Sequence, residues 1–176
     1  MSVAAHQRAA PTRVRAFVLT VSDTRTLATE TSGRTIASLL EDAGHQVIGR
    51  DVIRDEPAEV AARLRSELAR GDADVIITTG GTGVSARDST PEAVAGLLDK
   101  PLPGFGELFR LLSFEEIGPA AMLSRALAGT TGRTVIFLLP GSEAAVRLAL
   151  TRLILPELGH VVGELRKGIE KSRSDF

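Results

Sequence analysis

The amino-acid sequence predicts an α/β fold in which a mostly parallel sheet carries helices on both faces. Short apolar runs, typical of strands buried on both sides, alternate with segments whose apolar residues recur at helical spacing. A length of 176 residues is enough to bury one continuous core. Such alternation builds right-handed β-α-β units, and the carboxyl ends of their strands share one rim, where ligands bind.

Strands are predicted where a short apolar run is bounded by polar or turn-forming residues. In chain order these runs are residues 15–21, 47–53, 75–79, 124–128 and 134–139. Residues 129–132, Gly-Thr-Thr-Gly, have turn chemistry and are expected to join the last two runs as a hairpin or a strand-to-strand return. The run 134–139 is the stronger strand of that pair.

Helices are predicted between these strands. In chain order they begin near Ser32, Pro57, Pro91, Gly104, Ser142 and Pro156. Gly44 and Gly71 end the first two helices in left-handed conformations. The segment 104–117 carries more Phe and Gly than a surface helix needs, which indicates a covering or oligomer-forming segment. We expect Pro156 to separate the last helix from the one before it.

Composition limits the function classes. A formal net charge of -1 gives no broad field for nucleic acid or acidic membranes, and the absence of cysteine excludes disulfides and thiolate metal sites. Neither a secretion signal nor a long apolar span is found, which predicts a cytoplasmic protein without a nucleic-acid or membrane partner. We expect a flexible N-terminal arm (1–12), one domain (13–165) and a charged C-terminal tail that frays into solvent (166–176).

A glycine-rich loop follows the third strand. Without Cβ atoms, its backbone N–H groups can converge on an anion, although glycines also make plain tight turns. Threonine and serine hydroxyls surround it, Arg87 adds a planar cation suited to phosphate, and Asp88 adds a carboxylate suited to Mg²⁺. No Lys follows Gly83 as in a Walker A loop, and the glycine spacing differs from a dinucleotide fingerprint. The pattern favours a phosphate cradle of another kind.

Residues 78–92, TTGGTGVSARDSTPE, resemble the signature of the molybdenum-cofactor biosynthesis MoaB/Mog family. Further matching segments span the chain from about Arg13 to His160: residues 20–26 (TVSDTRT), 104–110 (GFGELFR), 124–129 (SRALAG) and 139–142 (LPGS). The segments 104–110 and 124–129 are similar to the MoaB side of the family. The resemblance therefore places the sequence closest to MoaB.

The resemblance implies the three-layer α/β/α fold of a molybdopterin-binding domain, assembled as a homotrimer or homohexamer. It implies molybdopterin as substrate, with ATP as co-substrate and Mg²⁺ as cofactor. The expected reaction is adenylylation, in which the terminal phosphate of molybdopterin attacks the α-phosphorus of ATP and pyrophosphate leaves. Other proteins of molybdenum-cofactor biosynthesis are implied as partners. The alternative is a non-catalytic molybdopterin-binding or carrier protein of the same pathway.

Asp55 and Asp88 match the acidic positions of the family that act with ATP and Mg²⁺, so both are predicted as catalytic residues and metal ligands. Asp55 is alternatively an N-cap before Pro57, and Asp88 alternatively pairs with Arg87 or makes a turn contact with Ser89 or Thr90. Ser142 is expected to cap a helix, to bind an anion, or both. Substrate and phosphate binding is predicted for Ser22, Asp23, Thr79, Gly80, Gly81, Thr82, Gly83, Ser85, Arg87, Pro140, Gly141 and Ser142.

Overall fold

The computed structural model describes residues 10–173 and contains one six-stranded sheet in the order β2-β1-β3-β6-β5-β4. The strands are β1 (Arg15–Val21), β2 (Gln46–Ile53), β3 (Val75–Thr79), β4 (Lys100–Pro101), β5 (Leu127–Thr131) and β6 (Thr134–Leu139). Strands β2, β1, β3 and β6 run parallel, whereas β5 is antiparallel to β6 and β4 is antiparallel to β5. The predicted mostly parallel sheet is confirmed.

Helices cover both faces of this sheet. They are α1 (Ser32–Asp42), α2 (Pro57–Arg70), α3 (Thr90–Ala95), α4 (Pro103–Ile117), a 3-10 helix (Gly118–Leu123), α5 (Glu143–Ala149) and α6 (Leu155–Arg173). Alternate strand residues enter different cores: Val18 and Ile77 pack with α1, α4, α5 and α6, whereas Leu19 and Ile76 pack with α2 and α3. The three-layer arrangement is therefore confirmed.

The hairpin between β5 and β6 turns later than the sequence predicts. Thr131 pairs with Thr134, so the loop is Gly132-Arg133, with Gly132 at φ +56°. Gly129 lies inside β5, where an added Cβ would approach the Lys100 carbonyl oxygen to 2.8 Å. The prediction that Gly129 belongs to the turn was wrong, because that glycine is needed for the close approach of β4.

Pro156 does not separate two helices. Residues 150–154 form a π-helical turn, in which the Leu155 N–H bonds to the Leu150 carbonyl, and α6 continues directly from it. A proline lacks an N–H and crowds the carbonyl four residues earlier, so the wider turn accommodates Pro156 without a break. The expected helix boundary at this proline was wrong.

Both ends of the described chain pack against the domain. Helix α6 continues past Arg166, where we expected a tail to begin, and the Arg166 guanidinium lies 2.9 Å from Asp74 Oδ1. A Cβ added at Gly159 of α6 would lie 2.6 Å from the Pro11 carbonyl oxygen, so this glycine lets the N-terminal segment approach. The rest of the expected arm, residues 1–9, and residues 174–176 lie outside the described residues. Within residues 10–173, no helix has the length and apolar character needed to cross a membrane.

Candidate functional site

The carboxyl ends of the four parallel strands meet at one rim, as the topology requires. The Ser22 N–H, after β1, donates to the Ile53 carbonyl at the end of β2 at 2.8 Å. The Gly80 N–H, after β3, donates to the Leu139 carbonyl at the end of β6 at 3.0 Å. Thr79 Oγ1 donates to the Pro140 carbonyl at 2.9 Å. These bonds place the four predicted loops side by side.

Three glycines of the loop after β3 leave room for other groups of the site. Gly80 and Gly81 have φ of +103° and +64°, a region that favours glycine. A Cβ added at Gly81 would lie 2.6 Å from Asp55 Oδ2, and one added at Gly83 would lie 2.7 Å from Asp88 Oδ2. The loop therefore turns tightly and also makes space for both carboxylates, which lie against glycines two residues apart in the loop.

Asp88 is held by the loop to which it belongs. Its Oδ2 accepts hydrogen bonds from the Ser85 N–H at 2.9 Å and from Ser85 Oγ at 2.5 Å. The Ser85 hydroxyl is the largest influence that lowers the Asp88 pKa, and the charge of Arg125 lowers it further. Asp88 makes a turn contact, but with Ser85 instead of the expected Ser89 or Thr90, and Arg87 pairs with Asp23 and Glu56 instead of Asp88.

Asp55 lies across the loop from Asp88 and carries no partner cation in its hydrogen-bond set. Its Oδ1 accepts from Thr90 Oγ1 at 3.3 Å and from Ser89 Oγ at 3.5 Å. Partial burial raises the Asp55 pKa, and the charges of Asp88 and Asp23 raise it further. The alternative of Asp55 as a helix cap is wrong, because Glu56 occupies the N-cap position of α2.

Arg87 connects the tip of the loop to the neighbouring loops. Its guanidinium lies 3.0 Å from Asp23 Oδ2 and 3.2 Å from Glu56 Oε1. The charge of Asp23 is the main cause that raises the Arg87 pKa. Asp23 in turn accepts the Asp55 N–H at 3.1 Å through its other oxygen. Arg87 and Asp23 thus form one exposed network beside the two carboxylates.

On the opposite side of Gly80 lies a polar cavity of about 170 Å³. Its lining includes Ser22, Thr79, Gly80 and Gly141 among the predicted residues, together with Thr20, Arg25, Glu30, Thr31 and Ser32. Ser22 Oγ also accepts the N–H groups of Thr24 and Arg25, which makes a polar turn after β1. Predicted substrate-binding residues thus divide between this cavity and the carboxylate side of the loop.

The remaining predicted residues have structural contacts. Ser142 caps α5, with its hydroxyl accepting the Ala145 N–H at 3.2 Å. Pro140 contributes the carbonyl that accepts from Thr79, and Thr82 is buried within the loop. The structure supports the capping interpretation of Ser142 and brings neither Ser142 nor Pro140 into the cavity lining.

Arg125 and Glu30 have roles at the site that their positions in the sequence did not reveal. Arg125 donates to the carbonyls of Gly83 and Asp88, at 2.9 and 2.7 Å. Glu30 is 2% exposed, accepts the Gly33 N–H at 2.6 Å and forms an ion pair with Arg50. The segment 124–129 marked Arg125 only as part of a similar motif, and no pattern singled out Glu30.

The carboxylate pair fits a metal that brings most of its own ligands. Over residues 10–173, no three side chains of Asp, Glu, His or Cys are grouped to hold a metal ion. Mg²⁺ is commonly bound through one or two carboxylates and completes its shell with water and substrate phosphates. Asp55 and Asp88 lie against Gly81 and Gly83 of the glycine-rich loop and are two carboxylates of the kind that such a site uses.

Comparison with known proteins gives the same family throughout. Residues 17–160 match the family described as "Probable molybdopterin binding domain". "Molybdenum cofactor biosynthesis protein B" of Bacillus cereus is 49% identical, and that of Halalkalibacterium halodurans is 52% identical; each alignment covers 95% of this chain and 99% of the relative. A crystal structure of Molybdenum cofactor biosynthesis protein B has a TM-score of 0.87 at 50% identity and covers 90% of this chain and 99% of its own. The chain therefore belongs to the MoaB/Mog family of molybdenum-cofactor biosynthesis proteins, closest to MoaB.

Proposed function

We propose that this protein adenylylates molybdopterin in molybdenum-cofactor biosynthesis. The observation that carries the proposal is the glycine-rich loop with the Asp88 carboxylate in it and the Asp55 carboxylate beside it, of which Asp55 has a raised pKa and acidic neighbours. A cation bound there would stabilise the ionised form of Asp55. Nucleotidyl transfer brings such a cation to an anion cradle, because it is mainly a matter of positioning phosphates and neutralising charge.

In this proposal Asp55 and Asp88 hold Mg²⁺, which supplies neutralising charge for the phosphates of ATP when bound. The Gly80, Gly81 and Gly83 backbone, with Thr82 and Ser85, surrounds the phosphates. The terminal phosphate oxygen of molybdopterin bonds to the α-phosphorus of ATP, and the bond from that phosphorus to the β-phosphate oxygen breaks. Adenylyl-molybdopterin and pyrophosphate are the products.

The polar cavity beside Gly80 is the proposed place for molybdopterin. The Ser22 hydroxyl can donate to a ligand, the Ser32 and Thr79 hydroxyls donate to the Gly141 and Pro140 carbonyls and can still accept, and Arg25 adds a positive charge to the lining. Gly80 lines this cavity, and Gly81 and Gly83 contact the two carboxylates, so molybdopterin in the cavity would lie next to ATP on the same loop. For Arg87 to bind a phosphate, it must first leave Asp23 and Glu56.

The test is a single-turnover reaction of purified protein with molybdopterin, ATP and Mg²⁺, in which adenylyl-molybdopterin and pyrophosphate are followed together. We expect product from the wild type and none from Asp88→Ala. Full activity of Asp88→Ala would contradict the metal role of this residue. Saturable molybdopterin binding, measured by calorimetry, is expected of both proteins.

One observation favours a non-catalytic carrier of molybdopterin as the second candidate. Arg87 already pairs with two carboxylates, so a triphosphate approaching this side of the loop meets acidic groups whose partner cation is engaged. A carrier binds molybdopterin without converting ATP. Saturable pterin binding with no product at any Mg²⁺ concentration would select this candidate.

We also propose that the protein acts in the cytoplasm as a trimer or hexamer, together with other proteins of the same pathway. An exposed apolar band on α4 and the 3-10 helix supports self-association: Leu108, Leu111, Phe114, Ile117, Met122 and Leu123 are each more than half exposed. Light scattering after gel filtration should give three or six protomers. Leu111→Glu and Phe114→Glu should reduce that mass, and a monomeric wild type would contradict the proposal.

A further inference from the structure

We propose that Arg125 is a positioning residue that fixes the loop of residues 83–88 and thereby keeps the Asp88 carboxylate in place for its ligand. The inference rests on the proposed function, in which Asp88 binds the metal that accompanies ATP. Arg125 lies between the 3-10 helix and β5, far from the loop in sequence. Only the folded structure brings Arg125 into contact with the loop.

The Arg125 guanidinium bonds to both ends of the loop. Its Nε donates to the Gly83 carbonyl at 2.9 Å and its Nη2 donates to the Asp88 carbonyl at 2.7 Å. A guanidinium is planar and presents its N–H groups in a fixed fork. One rigid group therefore sets the separation of the first and last residues of the loop.

Arg125 is itself anchored from a second direction. Its Nη1 pairs with the Glu92 carboxylate on α3, and its side chain is 31% exposed. The side chain thus connects the loop, α3 and the beginning of β5. Because three separate groups hold the guanidinium, it can resist displacement of the loop when a ligand binds or leaves.

The position of the Asp88 carboxylate depends on the same loop. It accepts hydrogen bonds from the N–H and the hydroxyl of Ser85 and lies against the Cα of Gly83. Ser85 and Gly83 keep these places only while the loop remains closed between its two ends. Loss of the Arg125 bonds should therefore move the carboxylate without changing its chemistry.

The experiment compares Arg125→Lys and Arg125→Gln with Arg110→Lys. Arg110 is a matched control, since its guanidinium donates to the Ser124 and Ala126 carbonyls on either side of Arg125, at 3.3 and 3.1 Å, and not to the loop of residues 83–88. Two readouts are used: hydrogen exchange of the loop amides, and the Mg²⁺ concentration that half-saturates single-turnover adenylylation.

We expect both Arg125 variants to exchange the amides of residues 83–88 at least about tenfold faster than the wild type and Arg110→Lys. The half-saturating Mg²⁺ concentration should rise about tenfold, as for the loss of one favourable hydrogen bond, and excess Mg²⁺ should restore most of the rate. A merely structural role would lower the active fraction and leave the Mg²⁺ half-saturation unchanged.

Equal loop exchange in Arg125→Lys and Arg110→Lys would overturn the inference, as would an unchanged Mg²⁺ half-saturation in an active variant. A wild type that forms no adenylyl-molybdopterin would contradict the proposed function instead. In that case the hydrogen-exchange comparison alone decides whether Arg125 fixes the loop.

Discussion

The two ends of the sheet each hold a partly buried aspartate, and the surroundings of the two shift their pKa values in opposite directions. Asp74, at the amino end of β3, accepts the Arg15 N–H at 2.8 Å and the Arg166 guanidinium at 2.9 Å. Burial alone would raise its pKa, but these bonds lower it. Asp55, at the carboxyl rim, accepts from two hydroxyls, and burial together with Asp88 and Asp23 raises its pKa.

The difference separates an acid that stabilises the fold from an acid kept for a ligand. The charge of Asp74 is compensated by arginines of the same chain, so its ionised form is favourable in the folded protein. The ionised form of Asp55 is disfavoured by burial and by its acidic neighbours, and a bound cation would offset both. An acid without a compensating cation, such as Asp55, is expected of a binding site, and a compensated one, such as Asp74, of a structural contact.

The largest expected effect concerns Asp55, the aspartate at the carboxyl ends of the strands. Asp55→Asn keeps the shape of the side chain but removes the charge that the proposed function needs. We expect single-turnover adenylylation to fall about 100-fold, as when one group that stabilises transition-state charge is lost. The free energy of unfolding, measured with urea, should not decrease, because the repulsion from Asp23 and Asp88 is relieved.

Ser38→Asn, on the solvent face of α1, provides the control for a substitution that introduces an amide away from the site. It should leave the rate unchanged. A clear loss of stability in Asp55→Asn would show that this carboxylate is compensated in the fold, and would remove the distinction from Asp74.

Asp74→Asn tests the structural role of the aspartate at the amino end of β3. The ion pairs with Arg15 and Arg166 are lost, and the 9% exposed side chain becomes a neutral amide in which an NH2 donor replaces one of the two acceptor oxygens, so the free energy of unfolding should fall by about 2 kcal/mol. Adenylylation per folded molecule should be unchanged. Urea unfolding at fixed protein concentration measures the first quantity, and Arg166→Gln should give a smaller loss in the same direction.

If Asp74→Asn instead unfolds at the same urea concentration as the wild type, the arginines contribute nothing net to stability. A fall in its turnover with no loss of stability would contradict the structural role in another way, by connecting the amino end of the sheet to the reaction.

Much of the fold could be predicted because the signals are local. Strands β1 and β3 are buried on both faces, so their sequences are short apolar runs with little need of context. The errors arose where tertiary contact decides the local structure. Gly129 looks like a turn residue but serves the packing of β4, and Pro156 looks like a helix break but is accommodated by a π-helical turn.

The site could be predicted in part for the same reason. Gly80 to Asp88 are contiguous, so their combination of glycines, hydroxyls and a carboxylate is visible in the sequence. Arg125 reaches Gly83 across 42 positions, and a single arginine in a sequence does not reveal such a partner. The same holds for the partners that distinguish Asp74 from Asp55, since each lies on another element of the fold.

Lowering the pH should distinguish the two aspartates, because protonation of Asp74 lowers the stability of the folded protein whereas protonation of Asp55 raises it. The Asp74 pKa is lowered, so its stabilisation is present at neutral pH and is lost as pH falls through that lowered pKa. The Asp55 pKa is raised, so its ionised form costs stability at neutral pH and protonation relieves that cost as pH falls through the raised pKa.

The measurement is urea unfolding from about pH 7 to about pH 3 for the wild type, Asp74→Asn and Asp55→Asn. The wild-type advantage over Asp74→Asn should persist to the lowest pH values. The free energy of unfolding of the wild type should be lower than that of Asp55→Asn at neutral pH, and this difference should disappear first, at a higher pH. The contrast would be contradicted if the two differences in the free energy of unfolding disappeared at the same pH, or if they had the same sign.

The smallest expected effect concerns Ser142, a polar residue at the carboxyl rim that behaves structurally like Asp74. Its hydroxyl accepts the Ala145 N–H, so Ser142→Ala should lower the free energy of unfolding by about 1 kcal/mol, whereas Ser142→Gly should lower it by only a few tenths. Both variants lack the hydroxyl. If the hydroxyl only caps α5, calorimetry gives unchanged molybdopterin affinity for both; if it also binds the phosphate, both lose affinity equally while their stabilities differ. Affinities equal to that of the wild type would therefore show that position at the rim does not by itself make a residue part of the site, and that the absence of a compensating cation, as at Asp55, is the better criterion.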